Sequence, residues 1–339
     1  MIKKYNIAII GVTGIVGETL LELLAERDFP VEKLFPLASE KSIGNTVLFR
    51  DKPLLVEALS TFDFSTTDFA FFAAGTDVSL QYAPIAAKAG CIVIDKSTAF
   101  RHDPEVPLVV PEVNPEVLKK CPKNIIANPN CTTIPLVAVI KPIYDKFGIE
   151  RINIATYQSV SGAGKSGIEA LAKETAALLN GQRISETPLE KQIAFNVIPK
   201  IDSFHENGYT IEEMKLVWET QKILNDKKIK VNPTAVRVPV FFGHSAAVHI
   251  DTTQFADASA VRELLEKTPG IVVMDDDNYP TPVTDAADHD AIFVGRIRNT
   301  ISHHNGINLW IVADNVRKGA ALNAIQIAEL LAHQSFYKH

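Results

Sequence analysis

The chain is poor in cysteine, with three in 339 residues, at positions 91, 121 and 131. An odd number spread so widely makes no disulfide framework, and a reducing cytoplasm is the expected compartment. Long apolar runs are missing too: no stretch approaches the ~18 residues of a membrane span. The opening MIKKYNIAIIGVTGIVG sets charges before an apolar segment, but Gly11, Gly14 and Gly17 interrupt it and no small-residue cleavage site follows, so it does not read as a signal peptide. Positive charge is not in excess. The net charge is -6, and neither a basic run nor an aromatic-plus-basic repeat occurs, which argues against a nucleic-acid partner. Metal-ligand spacing is absent. His303-His304 and the scattered histidines match no pattern such as H-E-x-x-H, and the acidic stretch 274–290 has no EF-hand spacing and reads as a solvated loop. SGAGKSG at 161–167 imitates a triphosphate-binding loop, but that pattern needs glycine where Ser159 stands. Repeats, low-complexity segments and flexible linkers are also lacking. The composition, 46% hydrophobic and 22% charged, is that of a globular chain long enough for two domains with real cores.

Periodicity organises the chain. Residues 5–10 read as a strand, 11–17 as a glycine-rich turn, and 18–28 as an amphipathic helix with Leu20, Leu23 and Leu24 on one face. Buried strands at 33–39, 69–75, 91–95 and 124–128 follow, alternating with helix, which implies a doubly wound parallel sheet. From about residue 131 the pattern changes. Strands outnumber helices and suggest a mixed sheet with helices on one face, and 316–334 reads as a long closing helix. Trp218 and Trp310 are expected in the core.

Two segments carry chemistry. Gly11-x-x-Gly14-x-x-Gly17 follows a strand and opens a helix, so a pyrophosphate can approach the bare backbone at a helix N-terminus. At the end of the second strand, an acidic side chain would suit the ribose hydroxyl of NAD, and cations with hydroxyls the 2′-phosphate of NADP. Ser39, Lys41 and Ser42 favour NADP, while Glu40 opposes them unless it points away. In ANPNCTTIP, Cys131 follows a turn and precedes an apolar helix with Thr133 as expected N-cap and Pro135 in the first turn. A thiol just outside a helix N-terminus is favoured as thiolate. Position alone leaves nucleophile and inert thiol both open; Cys91, inside an apolar run, reads as structural.

These segments, with DKSTAFRHDPEVPLVVPEVN, YQSVSGAGKSG, TIEEMK, VRVPVFFGH and ADNVRKGAALNAIQIAE, resemble the bacterial aspartate-semialdehyde dehydrogenases over essentially the whole length. The resemblance implies an α/β fold: a Rossmann-type doubly wound parallel sheet over 1–130, completed by a C-terminal helix 316–335, and an α+β catalytic and dimerisation domain with a mixed sheet over 131–315. It implies NADP-dependent reduction of L-aspartyl 4-phosphate to L-aspartate 4-semialdehyde by a homodimer. By the same resemblance Cys131 is the nucleophile, His244 the acid–base and Gln158 an orienting group. Arg237 meets the substrate carboxylate, Glu212 its amino group, and Arg101, Asn130 and Lys215 the phosphate. Gly11, Thr13, Gly14, Ile15, Val16, Gly17, Ser39, Lys41, Ser42, Thr76, Ser161, Gly162 and Asn315 are cofactor positions; no metal is implied. Lys41 stands where the family commonly has Arg, and Ser159 where it commonly has Ala, a change expected to be harmless.

The chemistry asks for the same residue types. A soft nucleophile intercepts an acyl phosphate as a thioester that a hydride can reduce, and an imidazole near neutral pKa can move the proton. A small zwitterion wants an Arg fork and a carboxylate. N-acetyl-glutamyl-phosphate reductase, whose acylated amine needs no counter-charge, and a catalytically silent NADP-binding subunit are the competing readings.

Overall fold

The computed structural model describes residues 3–184, 187–274 and 277–333. It divides into two units, residues 1–129 with 320–339, and residues 130–319.

The first unit holds strands β1 (Tyr5–Ile10), β2 (Val31–Ala38), β3 (Thr46–Phe49), β4 (Lys52–Leu55), β5 (Glu57–Ala58), β6 (Phe69–Phe72), β7 (Ile92–Asp95) and β8 (Ile125–Ala127). Six of them form one sheet in the order β5-β2-β1-β6-β7-β8, every pair parallel. A parallel strand is covered on both faces, which is why β6 reads FAFF with all four residues buried. Helix α1 (Ile15–Glu26) lays Leu20, Leu23 and Leu24 into the core beside Ile7, Ile9, Phe69 and Phe71. Each such leucine contributes about 1.5–3 kcal/mol by leaving water. Helix α2 (Thr76–Lys88) follows β6. The closing segment is not one continuous helix. A π-helical turn, Arg317–Ala321, precedes α7 (Leu322–His333), whose Ile325, Ile327 and Ala328 enter the same core. Residues 334 and 335, expected to extend it, lie outside the described residues.

The second unit holds α3 (Thr133–Phe147), β9 (Ile149–Gln158), α4 (Lys165–Leu179), α5 (Ile211–Ile223), β10 (Lys230–Arg237), β11 (His244–Thr252), α6 (Ala258–Glu266), β12 (Ile271–Val273), β13 (Ile292–Asn299) and β14 (Gly306–Ala313). Its sheet runs β10-β9-β11-β14-β13-β12. The outer pairs β10–β9 and β12–β13 are parallel and the inner three antiparallel. Trp218 and Trp310 are only half-buried, because each keeps its polar or aromatic edge engaged near the surface: Trp310 Nε1 donates to the Pro280 carbonyl at 3.0 Å, and Trp218 stands edge-on to His205. The stretch 274–290 includes a π-helical turn at Pro282–Ala286, so it is less irregular than its acidic content suggests.

The helix after Cys131 begins one residue earlier than expected. Thr132, not Thr133, is the N-cap of α3, and its side chain makes no cap bond. Asn130 takes over that work: its Oδ1 accepts from Thr132 N at 3.0 Å and from Thr132 Oγ1 at 2.6 Å.

Candidate active site

Strand ends build the site. Arg237 closes β10, Gln158 closes β9 and pairs directly with it, and His244 opens the antiparallel β11 beside them. Opposite His244 lies Ala313 at the end of β14, followed by Asp314 and Asn315. Four adjacent strands thus bring these candidate residues to one end of the sheet.

Glu212, in the first turn of α5, is the electrostatic hub. Its Oε1 accepts from Asn130 Nδ2 and Gln158 Nε2, each at 3.0 Å, and its Oε2 accepts from Lys215 Nζ at 2.9 Å. Burial pushes its carboxyl up, but the Lys215 charge and these hydrogen bonds outweigh burial and hold it down at about 2. Burial lowers the Lys215 ammonium, and Glu212 and Asp202 more than restore it. Arg237 is buried, donates from Nη1 to the Ser159 carbonyl at 2.8 Å, and has its pKa lowered by that burial against the opposing charges of Glu212 and Cys131. The same field acts in reverse, so the Arg237 cation favours a Cys131 thiolate. Arg237 also borders a cavity of about 530 Å³ that Lys200, Ile198 and Phe204 help to line, within the size range of small-molecule sites.

His244 is 4% exposed. Its Nδ1 receives the Ser159 backbone N–H at 3.0 Å, with Ser159 Oγ also at 3.0 Å. Among the described residues, His244 Nε2 and Gln158 Oε1 are buried without a hydrogen-bonding partner. Buried polar atoms are rarely left so, and both suit a bound substrate. Burial first, and the Arg237 charge second, push the imidazole down to about 3, against Glu212 and the Gly243 backbone. A pKa near neutral, expected from the residue type alone, is therefore not what this pocket gives.

Cys131 lies half-buried immediately before the α3 N-cap. Cys91 is fully buried, its thiol pushed up to about 12 by burial, and Cys121 donates to the Ile125 carbonyl at 3.3 Å. Three contributors escaped the sequence. Glu219 is buried and accepts the Asn130 N–H through Oε2 at 2.7 Å, pinning the cysteine loop from α5. A Cβ on Gly319 would stand 3.1 Å from Cys131 Cβ. Ser159, expected to be inert, touches the histidine. An acidic residue on the buried face of α5, and a glycine inside a helix-forming run, were the available signals.

The first unit carries the glycine turn. Gly11 has φ +84°, and a Cβ there would meet the Ala73 carbonyl oxygen at 2.8 Å. A Cβ on Gly17 would meet the Gly11 oxygen at 2.3 Å, so this glycine lets the helix press onto the turn. Gly14 caps α1 without a side-chain bond. The N–H groups of Ile15, Val16 and Gly17 are first-turn donors with no acceptor in their own helix. Thr13 Oγ1 lies 3.4 Å from Ser42 Oγ. Glu40 turns to Ser60, whose Oγ donates to its Oε1 at 2.6 Å. Ser39 and Lys41 are exposed beside it. Thr76 opens α2 and shares a 3.0 Å contact with Thr98. Arg101 is buried and donates to the Lys96 carbonyl at 2.6 Å.

Two family models match the chain: the semialdehyde dehydrogenase NAD binding domain over residues 6–121 and the semialdehyde dehydrogenase dimerisation domain over 140–318. Aspartate-semialdehyde dehydrogenase 2 of Vibrio cholerae serotype O1 is 58% identical over 337 residues, 99% of this chain and 100% of that protein. The Legionella pneumophila aspartate-semialdehyde dehydrogenase is 54% identical over 100% of this chain and 99% of its own. Among solved structures, aspartate semialdehyde dehydrogenase II of Vibrio cholerae complexed with ASA superposes with a TM-score of 0.97 at 57% identity, covering 98% of this chain and 99% of that one. The Candida albicans enzyme with NADP superposes at 0.79 with 25% identity, over 99% and 100%. With both domain models matched, and relatives more than half identical from end to end, the chain belongs to the aspartate-semialdehyde dehydrogenase family.

Proposed function

We propose that this chain catalyses the phosphorylating, NADP-dependent interconversion of L-aspartyl 4-phosphate and L-aspartate 4-semialdehyde, a branch-point step towards lysine, methionine and threonine. The observation that carries the reading is the convergence of Arg237, Gln158 and His244 at one sheet edge around the Glu212–Lys215 pair.

The Cys131 thiolate attacks the acyl carbon, the C–O bond to phosphate breaks with its electron pair, and a thioester remains. Lys215 and the second amide hydrogen of Asn130 receive the departing phosphate. Arg237 forks the substrate α-carboxylate and Glu212 pairs with its ammonium. Gln158 Oε1 and His244 Nε2 attend the reacting group, the imidazole facing the carbonyl oxygen that gains charge. When bound, NADP(H) supplies the hydride. Collapse of the resulting alkoxide breaks the C–S bond, freeing the aldehyde and regenerating the thiolate.

The residues present suit that cofactor. Bare backbone at Gly11 and an uncapped α1 welcome a pyrophosphate, and Glu40, held by Ser60, leaves Ser39, Lys41 and Ser42 to a 2′-phosphate. Ser161, Gly162 and Asn315 complete the proposed cofactor set. A homodimer through residues 131–315 is supported by the dimerisation-domain match and by exposed Phe195, Val197, Phe204 and Phe241 on that unit. Reduced thiols suit the cytoplasm.

The test is phosphate-dependent NADP reduction. Aspartate semialdehyde should be turned over and N-acetylglutamate semialdehyde should not, because an acylated amine offers Glu212 no charge. Cys131→Ala should abolish turnover with NADP binding and folding intact. Clear residual activity in that variant would remove Cys131 from the mechanism, and preference for the acetylated substrate would overturn the assignment.

A further inference from the structure

We propose that Ser159 is a positioning residue that sets the tautomer of His244, so that the imidazole meets the substrate as a neutral Nε2–H donor. The proposal deepens the functional reading above and rests on it for the identity of the oxygen being served.

The Ser159 backbone N–H can only donate, and it points at Nδ1 from 3.0 Å. Nδ1 therefore presents its lone pair, and the single proton of a neutral ring sits on Nε2. The Asn315 amide nitrogen, a donor only, gives to Ser161 Oγ at 2.9 Å. Ser161 Oγ lies 3.0 Å from Ser159 Oγ, which in turn lies 3.0 Å from Nδ1. A hydroxyl has one proton, and both serine hydroxyls are placed to donate theirs to the Asn315 carbonyl oxygen at 3.1 Å, so the backbone N–H is the donor that fixes Nδ1. The Asn315 carbonyl oxygen, within 3.1 Å of both hydroxyls, is anchored by the Gly243 N–H at 2.9 Å and keeps the amide from turning over. The charged groups around the ring agree with a neutral imidazole: Arg237 from β10 opposes a second cation, and Glu212 from α5 is already paired with Lys215. A neutral donor is also all that the chemistry needs. The alkoxide formed at the thioester carbon expels the thiolate with no proton taken up or released.

The experiment is ¹⁵N NMR of the full-length protein labelled at histidine, with the His244 signals assigned by their loss in His244→Asn. At pH 7 the wild type should show Nδ1 at the unprotonated position and Nε2 protonated. Ser159→Ala keeps the backbone donor but loses the hydroxyl. Its Nδ1 signal should stay at the unprotonated position, with kcat within about 3-fold of the wild type and KM unchanged. Ser159→Pro removes the backbone donor at a residue whose φ of -65° proline also adopts, and it should move Nδ1 toward the protonated position and lower kcat. A wild-type ring carrying its proton on Nδ1, or charged at pH 7, overturns the proposal whatever the substrate is. An unmoved Nδ1 signal in a folded Ser159→Pro protein, or a protonated Nδ1 in Ser159→Ala, overturns the assignment to the backbone donor. Failure to turn over aspartate semialdehyde would instead strike the functional reading and leave the NMR result standing.

Discussion

Adding one methyl group at Gly162 should disable substrate recognition without touching the fold. The backbone there lies outside the left-handed region, so alanine is conformationally acceptable. A Cβ at this position would stand 2.8 Å from Arg237 Nη1 and 3.3 Å from His244 Cε1 and Nε2, where ordinary contact begins at 3.4 Å. The histidine needs to yield about a tenth of an ångström, the guanidinium roughly 0.6 Å, and the guanidinium is the end of a flexible side chain. Moving Nη1 that far breaks its 2.8 Å bond to the Ser159 carbonyl and turns the fork away from its carboxylate. Misplacement by about 1 Å can cost a hundredfold in rate, so Gly162→Ala should lower kcat/KM for aspartate semialdehyde by roughly ten- to a hundredfold, mostly through KM. The melting temperature should fall by a few degrees at most, because losing the buried Arg237 hydrogen bond outweighs what alanine gains by restricting the unfolded chain. Steady-state NADP reduction beside a thermal melt measures both. Wild-type kinetics in a folded Gly162→Ala protein would refute the packing argument and remove Arg237 from carboxylate binding.

The remaining predictions concern charge. His244→Asn should lower kcat by roughly 10²–10³, the size of one donor to a developing oxyanion, with a smaller change in KM; because the folded imidazole titrates at about 3, it should contribute no limb to the pH–rate profile between 5.5 and 8, and a wild-type limb near 6 that vanishes in the variant would contradict this. The same depressed pKa bears on stability: the unfolded histidine binds a proton below its ordinary 6.5 and the folded one does not until about 3, so its share of stability is intact above 6.5 and drains as pH falls through that window, about 2 kcal/mol by pH 5. His244→Asn should therefore lose less stability than the wild type between pH 7.5 and 5 in denaturant titrations, and parallel losses would refute the shift. Lys41→Ala should cut the preference for NADP over NAD in specificity constants, and an unchanged ratio would move the 2′-phosphate elsewhere.

Much of this was legible in the chain because it is written locally. A glycine spacing after a strand, a cysteine between a turn and a helix, and apolar periodicities of two and 3.6 are all short-range patterns. They led to the parallel sheet, the mixed sheet and the position of Cys131. What stayed hidden depends on distance in sequence. Glu219 is 89 residues from the amide it holds, and Ser159 is 85 from His244; the place of Glu219 on the buried face of α5 hints at burial, but no local pattern names either partner. The histidine's pKa could not be read because it is decided by burial and by Arg237, neither visible in residue type. The direction of Glu40 could not be read because its partner, Ser60, lies on another turn. The N-cap of α3 was misplaced by one because Asn130, not a threonine hydroxyl, supplies the capping oxygen.

Placing Arg237, Gln158 and His244 on three neighbouring strands makes their alignment a property of the ladder itself. Side chains alternate between faces along a strand, so a slip of one residue in any of these pairings would swing its functional group to the opposite side. Correct spacing of the three is thus inherited from the backbone hydrogen bonds that pair Arg237 with Gln158 and Ser245 with Tyr157, and it exists before any ligand arrives. Partial damage should be rare in such an arrangement. Amide protons along the ends of β9, β10 and β11 should exchange with solvent only when the whole unit opens, so the machinery is lost together or not at all.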